Sequence, residues 1–245
     1  MLIKELDYSR FLESNRWDAI YFNMDSSEFN SKFDLIKLKN LVKERKLGIE
    51  SKRYPSHKFN YIGLENIEPN KGCLVDFEPR LGSEIKSRSK VFRYEDVLFG
   101  RLRPNLNKVY CVGDSLVEGV CSTEFFVLVS SDKILPTYLE AILSSDYIKN
   151  KVVRLVSGAT LPRVSINEFL DLEIPVPPLE TQSIIANFYI ESKLEREVYK
   201  HKASMLVEEC RSGIVSFLSG NGELKIDMNS FNEKKWKNPL PDLEV

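Results

Sequence analysis

The chain has 245 residues, of which 42% are hydrophobic and 29% charged, and its formal net charge is −1. This is a globular composition, which excludes disordered and fibrous classes. The longest purely apolar run, Phe125 to Val129, has strand length and falls far short of the ~20 residues of a membrane span, so no membrane association is expected.

Met1 to Asp7 has no continuous apolar core and does not read as a signal peptide, which leaves the cytoplasm as the expected location. Tyr61 to Leu64 and Cys73 to Phe77 read as short strands bounded by Pro, Asn and Gly. Asp96 to Arg103 reads as a further strand that Pro104 stops. Lys108 to Val112, Leu116 to Val120 and Thr123 to Val129 follow, with Gly113-Asp114 as a hairpin signal. Pro136 opens a helix with Leu139, Ile142 and Leu143 on its apolar face. Ser145-Asp146 starts another, running to Val156 and broken by Ser157 to Thr160.

Ile174 to Pro178 is a proline-rich hinge. From Pro178 to about Ser219 no further proline occurs. Leu194, Val198, Met205, Leu206, Cys210, Ile214 and Phe217 recur at helical spacings, which predicts a long amphipathic helix with Gly220 as its C-cap. About 40 residues at 1.5 Å each would span about 60 Å. Such a stripe needs a partner helix, and the sequence offers no second one. His201 and Glu208 interrupt the heptad, so a helix pair or bundle is expected rather than an uninterrupted zipper. The domain expectation is 1–175 for a mixed α/β domain, 176–220 for the long helix and 221–245 for a polar tail.

The charge is segregated along the chain. Lys37 to Lys58 carries a net +6, Arg80 to Lys108 +5 and Ile148 to Arg163 +4, so the remainder is acidic. Within the first window, Lys43, Arg45 and Lys46 read as a solvated helix end. Arg101, Arg103 and Asn105 alternate and would share one strand face. Arginine offers bidentate donors to phosphate or guanine, and asparagine can pair with adenine. Asn107 and Lys108 extend that segment. Thr160 and Arg163, after Ser157-Gly158-Ala159, supply phosphate-positioning groups. Lys52, Arg53, Tyr54 and Lys58 mix cations with an aromatic, as an exposed recognition loop would, and Arg88 lies in a second basic loop. Against these readings stands an internal salt bridge of Arg101 or Arg103 with Asp96 or Glu124, and a turn-stabilising role for Arg163.

Catalytic signatures are missing: there is no GxGxxG, P-loop, GxSxG or HExxH pattern. Asp76, Glu84 and Lys86 resemble a metal-dependent nuclease triad, and this is the alternative from another functional class. Cys73, Cys111, Cys121 and Cys210 form no CxxC pair, and His57 and His201 are the only histidines, so no metal site is expected. The cysteines read as reduced, partly buried thiols.

Several segments together resemble the specificity (S) subunits of type I restriction–modification systems. They are Arg16 to Tyr21, Tyr61 to Ile67, Asp96-Val97-Leu98-Phe99-Gly100-Arg101-Leu102-Arg103-Pro104, Ser122 to Phe125, Gly158-Ala159-Thr160-Leu161-Pro162-Arg163-Val164-Ser165, Ile174 to Gln182 and Phe217 to Gly220. The resemblance implies a target-recognition domain for double-stranded DNA, a long helix that pairs as a coiled coil, and no catalysis by this chain. It also implies methyltransferase subunits that modify adenine with S-adenosylmethionine, and a restriction and translocase subunit. S-adenosylmethionine, Mg and ATP would belong to those partners, and the chain itself would hold no cofactor. Family members typically carry two recognition domains and two long helices, and this chain has one of each. It therefore resembles a half-length form completed by a homodimer through the long helix. A recognition subunit of another methyltransferase-based defence system is a further alternative.

Overall fold

The computed structural model describes residues 31–113, 116–156 and 160–220. The Arg16 to Tyr21 segment, Asp114, the Ser157-Gly158-Ala159 portion of the turn and the tail from 221 lie outside the described residues. One compact unit closes at Lys193 and a second begins at Leu194. The first unit thus takes in the opening turns of the long helix, beyond the expected boundary at 175.

Among the described residues of the first unit there are twelve strands: β1 (Leu35–Lys37), β2 (Val42–Glu44), β3 (Gly48–Ile49), β4 (Lys58–Phe59), β5 (Tyr61–Ile62), β6 (Arg80–Leu81), β7 (Ser89–Arg93), β8 (Val97–Gly100), β9 (Val109–Cys111), β10 (Glu118–Ser122), β11 (Phe125–Ser130) and β12 (Glu173–Pro175). Helices α1 (Pro136–Leu143), α2 (Asp146–Arg154) and α3 (Ile166–Leu170) follow β11, and α4 (Leu179–Leu218) follows β12. One four-stranded sheet has the order β2-β11-β8-β9, and a second has β3-β7-β10-β5. In the second sheet β5 runs parallel to β10 while the other pairs are antiparallel, so the sheet is mixed.

The alternation of side chains along β8 and β11 builds two cores. Val97, Phe99, Phe126 and Leu128 face one cluster, with Leu139, Ile148, Val152 and Phe169 from the helices. Leu98, Phe125 and Val127 face the other, with Phe92 and Cys121 of the second sheet. The β2-β11-β8-β9 sheet is therefore covered on both faces. That explains why β8 and β11 read as continuous apolar runs rather than as alternating ones. Phe169 packs against both Phe99 and Phe126, with centroids at 4.4 and 5.3 Å.

Local signals explain the helices. Pro136 occupies the first turn of α1, where a missing N–H costs nothing. The Ser145 hydroxyl accepts from the Ile148 N–H and starts α2. Helix α4 is a single 40-residue element. Gly220, at φ +74°, ends it in the left-handed conformation that glycine adopts freely, and its N–H donates to the Phe217 carbonyl.

Four expectations are corrected. Cys73 to Phe77 forms no strand; only Leu74 bridges Ile67. The Asn66 amide takes the Val75 and Asp76 carbonyls, and Asp76 turns the chain at φ +47°. The strands on either side of the expected hairpin signal, β9 and β10, belong to different sheets and do not pair. The strand from Asp96 ends at Gly100, and Arg103 is left-handed at φ +47° ahead of a 3₁₀ turn over Pro104–Leu106. Arg101, Arg103 and Asn105 hence do not share a strand face. Finally, Lys43 lies in β2 and Arg45 pairs with Asp96, so that segment is no helix end.

The proline-rich hinge contains an unpredicted strand, β12, whose partner is β1. Gln182, on the first turns of α4, secures the junction. Its amide group donates to the Lys133 and Pro177 carbonyls, and its oxygen accepts from the Leu135 N–H at 2.9 Å. Further along the same face, Ala186 is buried, the Tyr189 hydroxyl donates to the Ser144 hydroxyl, and Lys193 pairs with buried Glu140 at 2.8 Å.

Candidate nucleic-acid interface

Two motif segments far apart in sequence are clasped together. Leu102 bridges Arg163 in antiparallel fashion. The Arg103 N–H donates to the Pro162 carbonyl at 2.8 Å, and the Val164 N–H to the Arg101 carbonyl at 3.2 Å. Glu124, just ahead of β11, accepts from both Nε and Nη2 of Arg163, the latter at 2.8 Å. Its backbone carbonyl accepts from the Arg101 N–H. The Arg163 guanidinium, with Arg101 nearby, holds the Glu124 carboxyl below its usual range.

Arg101 is half-buried. Its guanidinium lies over the Phe126 ring at 5.5 Å, and its buried Nε has no hydrogen-bond partner among the described residues. Lys90 lies against the same ring at 5.7 Å, and its Nζ donates to Glu44 and to the Phe125 carbonyl, each at 2.8 Å. Arg103 is exposed and forms no ion pair among the described residues. Its left-handed backbone is uncommon for a residue with a side chain and carries a cost of about 1–2 kcal/mol. Thr160 is exposed beside this turn.

Of the two internal pairings weighed for Arg101 and Arg103, neither forms as a hydrogen-bonded pair. Asp96 is 2% exposed and binds Arg45 through two contacts, of 2.7 and 2.9 Å, plus the Arg93 N–H. Glu124 binds Arg163. The turn-stabilising role of Arg163 is present, since it also donates to the Leu161 carbonyl.

The two basic loops that looked separate in sequence are joined. Strand β4 pairs with β6, the Gly82 N–H donates to the His57 carbonyl, and the Ser83 N–H to the Pro55 carbonyl. A Cβ at Gly82 would stand 2.2 Å from the Tyr54 carbonyl oxygen, so only glycine permits this approach. Lys52, Arg53, Tyr54, Lys58 and Arg88 are all exposed on this paired lobe. Arg53 is steered by Glu50, at 2.7 Å.

The remaining residues of the arginine segment divide. Asn105 is exposed. Asn107 is 2% exposed, left-handed at φ +45°, and its amide donates to the Ser144 carbonyl at 2.7 Å; it builds the turn and has no surface to offer a ligand. Lys108 donates to the Leu64 carbonyl, and burial lowers its pKa. These inward uses are invisible to period-two alternation, which breaks at left-handed Arg103.

On α4, Leu194, Val198, Met205, Leu206, Cys210, Ile214 and Phe217 are all exposed. Burial pushes the Cys111 and Cys121 thiols up to about 12, which suits inert core positions. Among the described residues no group of three or more His, Cys, Asp or Glu side chains gathers to hold a metal ion. Glu84 instead accepts from the Leu81 N–H. No helix among the described residues is long and apolar enough to cross a membrane.

The fold and site define a mixed α/β domain with a basic clasp and a long helix whose apolar side chains beyond Leu194 are exposed and spread over more than one face, not gathered in the single amphipathic stripe expected. Residues 30–189 match the family model described as the type I restriction modification DNA specificity domain, and the chain belongs to that family. Among solved structures it is similar to a chain from work on complex assembly and conformational transition of the type I R-M system, at 26% identity and a TM-score of 0.60. It is also similar to the HsdS subunit from Thermoanaerobacter tengcongensis, at 26% identity and a TM-score of 0.58. In both cases 80% of this chain and 51% of the other are covered, so the chain spans about half the length of these solved relatives. No curated protein matches it.

Proposed function

We propose that the chain is the sequence-recognition subunit of a type I restriction–modification complex, reading double-stranded DNA and catalysing nothing itself. The observation that carries this reading is the clasp at Leu102 and Arg163. It gathers Arg101, Arg103, Thr160 and Arg163 from two of the segments that resemble the family. Exposed Arg103 and Thr160, with half-buried Arg101 beside them, offer donors that position a phosphate backbone without reading sequence, while Arg163 is engaged by Glu124 and holds the clasp shut. Arg103 fits that role best, since the fold holds its side chain exposed at the expense of backbone strain.

Methyltransferase subunits dock on the assembled chain and supply S-adenosylmethionine, and a restriction and translocase subunit supplies ATP and Mg chemistry. Adenine inside a duplex must be extruded for methylation, so the recognition subunit serves by holding DNA in register. The recognition domain takes in the opening turns of α4, up to Lys193, and the rest of α4 serves as the spacer. A second copy pairs through Leu194, Val198, Met205, Leu206, Cys210, Ile214 and Phe217. Two-fold pairing then gives two inverted half-sites at a fixed spacing. The complex works in the cytoplasm, where its DNA is.

The test is a pair of substitutions in the purified protein with its methyltransferase. Arg101→Ala should weaken binding to all duplexes alike, whereas substitutions in the 52–61 or 80–90 loops should change the preferred sequence. Equal effects of both classes on every sequence would sink the division of labour.

A further inference from the structure

The joined loops enclose a polar hollow of about 300 Å³, lined by Gly48, Ile49, Glu50, Arg53, Tyr54 and Arg88. We propose that this hollow reads a G·C base pair of the target by its major-groove edge, with Arg88 as the specificity-determining donor. The inference rests on the DNA-recognition reading above and deepens it.

Three observations support it. The first is chemical. Arg88 is exposed and makes no ion pair among the described residues, so its guanidinium is available. Arg53 is held through Nε by Glu50, which leaves its other nitrogens to donate. A guanidinium matches guanine O6 and N7, and a carboxylate accepts from cytosine N4. Arginine and glutamate in one hollow therefore fit both halves of a G·C pair. Glu50 offsets one of the two arginines, so the hollow carries a single net positive charge and combines donors with an acceptor, as a base-pair edge requires. Tyr54, which is 54% exposed, adds an aromatic face at the rim.

The second is preorganisation. Strand β3 pairs with β7, with Gly48 opposite Lys90. Because Gly48 has no Cβ, the Arg88 side chain lies across it; a Cβ there would stand 3.0 Å from Nε and 3.2 Å from Nη2. The lobe beneath is fixed by the β4–β6 pairing and by Gly82. Base reading needs donors held in place in this way.

The third is continuity with the clasp. Arg88, just ahead of β7, lies across Gly48, and Gly48 stands opposite Lys90 in the β3–β7 pairing, so the two cations are neighbours. Lys90 shares the Phe126 ring with Arg101, and Arg101 adjoins Glu124 and Arg163. One run of charged residues thus leads from the phosphate-positioning clasp to the hollow.

Selection from a randomised duplex library, using the full chain with its methyltransferase, tests the idea. The wild type should select a motif with at least one invariant G·C pair. Arg88→Ala and Arg88→Lys should each reduce discrimination at that one pair by roughly ten- to a hundred-fold and leave other positions intact. Gly48→Ala keeps every charge but displaces Arg88, and should weaken the same pair. Melting temperatures confirm that the variants are folded. An unchanged motif in the Arg88 variants overturns the proposal, and so does an equal loss on all sequences, which would mark a phosphate contact. A wild type that selects no motif overturns the DNA-recognition reading itself, and this inference with it.

Discussion

The unit up to Lys193 and the helix beyond Leu194 treat apolar side chains in opposite ways. In the first, Phe99, Phe126, Phe169 and Leu128 are at most 2% exposed. In the second, Leu194 is 63% and Leu206 66% exposed. Sequence patterning marks both as apolar, but only the first finds its partners within the described residues. The domain buries its apolar side chains against one another, whereas those of the helix are exposed, and under the proposed pairing a second copy would cover them.

Substitutions should separate the two regions. The largest effect is expected from Arg45→Ala, which strands the buried Asp96 carboxylate. Breaking a buried pair from one side costs about 3–5 kcal/mol, so chemical denaturation should show the domain unfolding far earlier. Leu206→Asp on the helix should leave that unfolding transition in place. It should instead shift light scattering from dimer to monomer, with each lost leucine burial weakening association by about 1.5–3 kcal/mol. A domain destabilised by Leu206→Asp would erase the comparison.

Smaller effects refine it inside the first unit. Arg103→Gly removes a charge but suits the left-handed backbone, so stability should rise by up to about 1 kcal/mol. Duplex binding should weaken, and the salt dependence should lose about one phosphate contact. A stability loss would mean that the Arg103 side chain supports the fold. The smallest effect concerns pH. Arg163 lowers the Glu124 pKa, so their pairing stabilises the fold fully above the ordinary value of 4.5 and fades as pH falls through the lowered value. The stability difference between wild type and Arg163→Ala should therefore shrink in acid. A difference that grows in acid would contradict the pairing.

Much of the fold was legible where one local signal decides. Pro136, the Ser145 cap, the unbroken helix to Leu218 and the Gly220 terminus all depend on neighbours in sequence. The strand at β12 carries no local signal, because its partner among the described residues, β1, lies far away in sequence. The arginine segment was misread because alternation assumes extended backbone, and Arg103 is left-handed. Asn107 looked like a contact residue by type alone; its partner, the Ser144 carbonyl, is visible only in the fold. Likewise the lobe formed by the 52–61 and 80–90 loops follows from Gly82, a position that sequence marks merely as a turn. The charge windows indicated where cations lie, but not that Arg45, Lys90 and Arg163 each hold an internal carboxylate.

The central claim is that this domain binds duplex DNA by charge and reads it by sequence. Its most direct test is the affinity of the chain, with its methyltransferase, for a selected duplex and a scrambled one across a salt series. Both affinities should fall linearly on a log–log salt plot, with the selected duplex tighter throughout. Equal affinity for the two duplexes, or binding indifferent to salt, would contradict it.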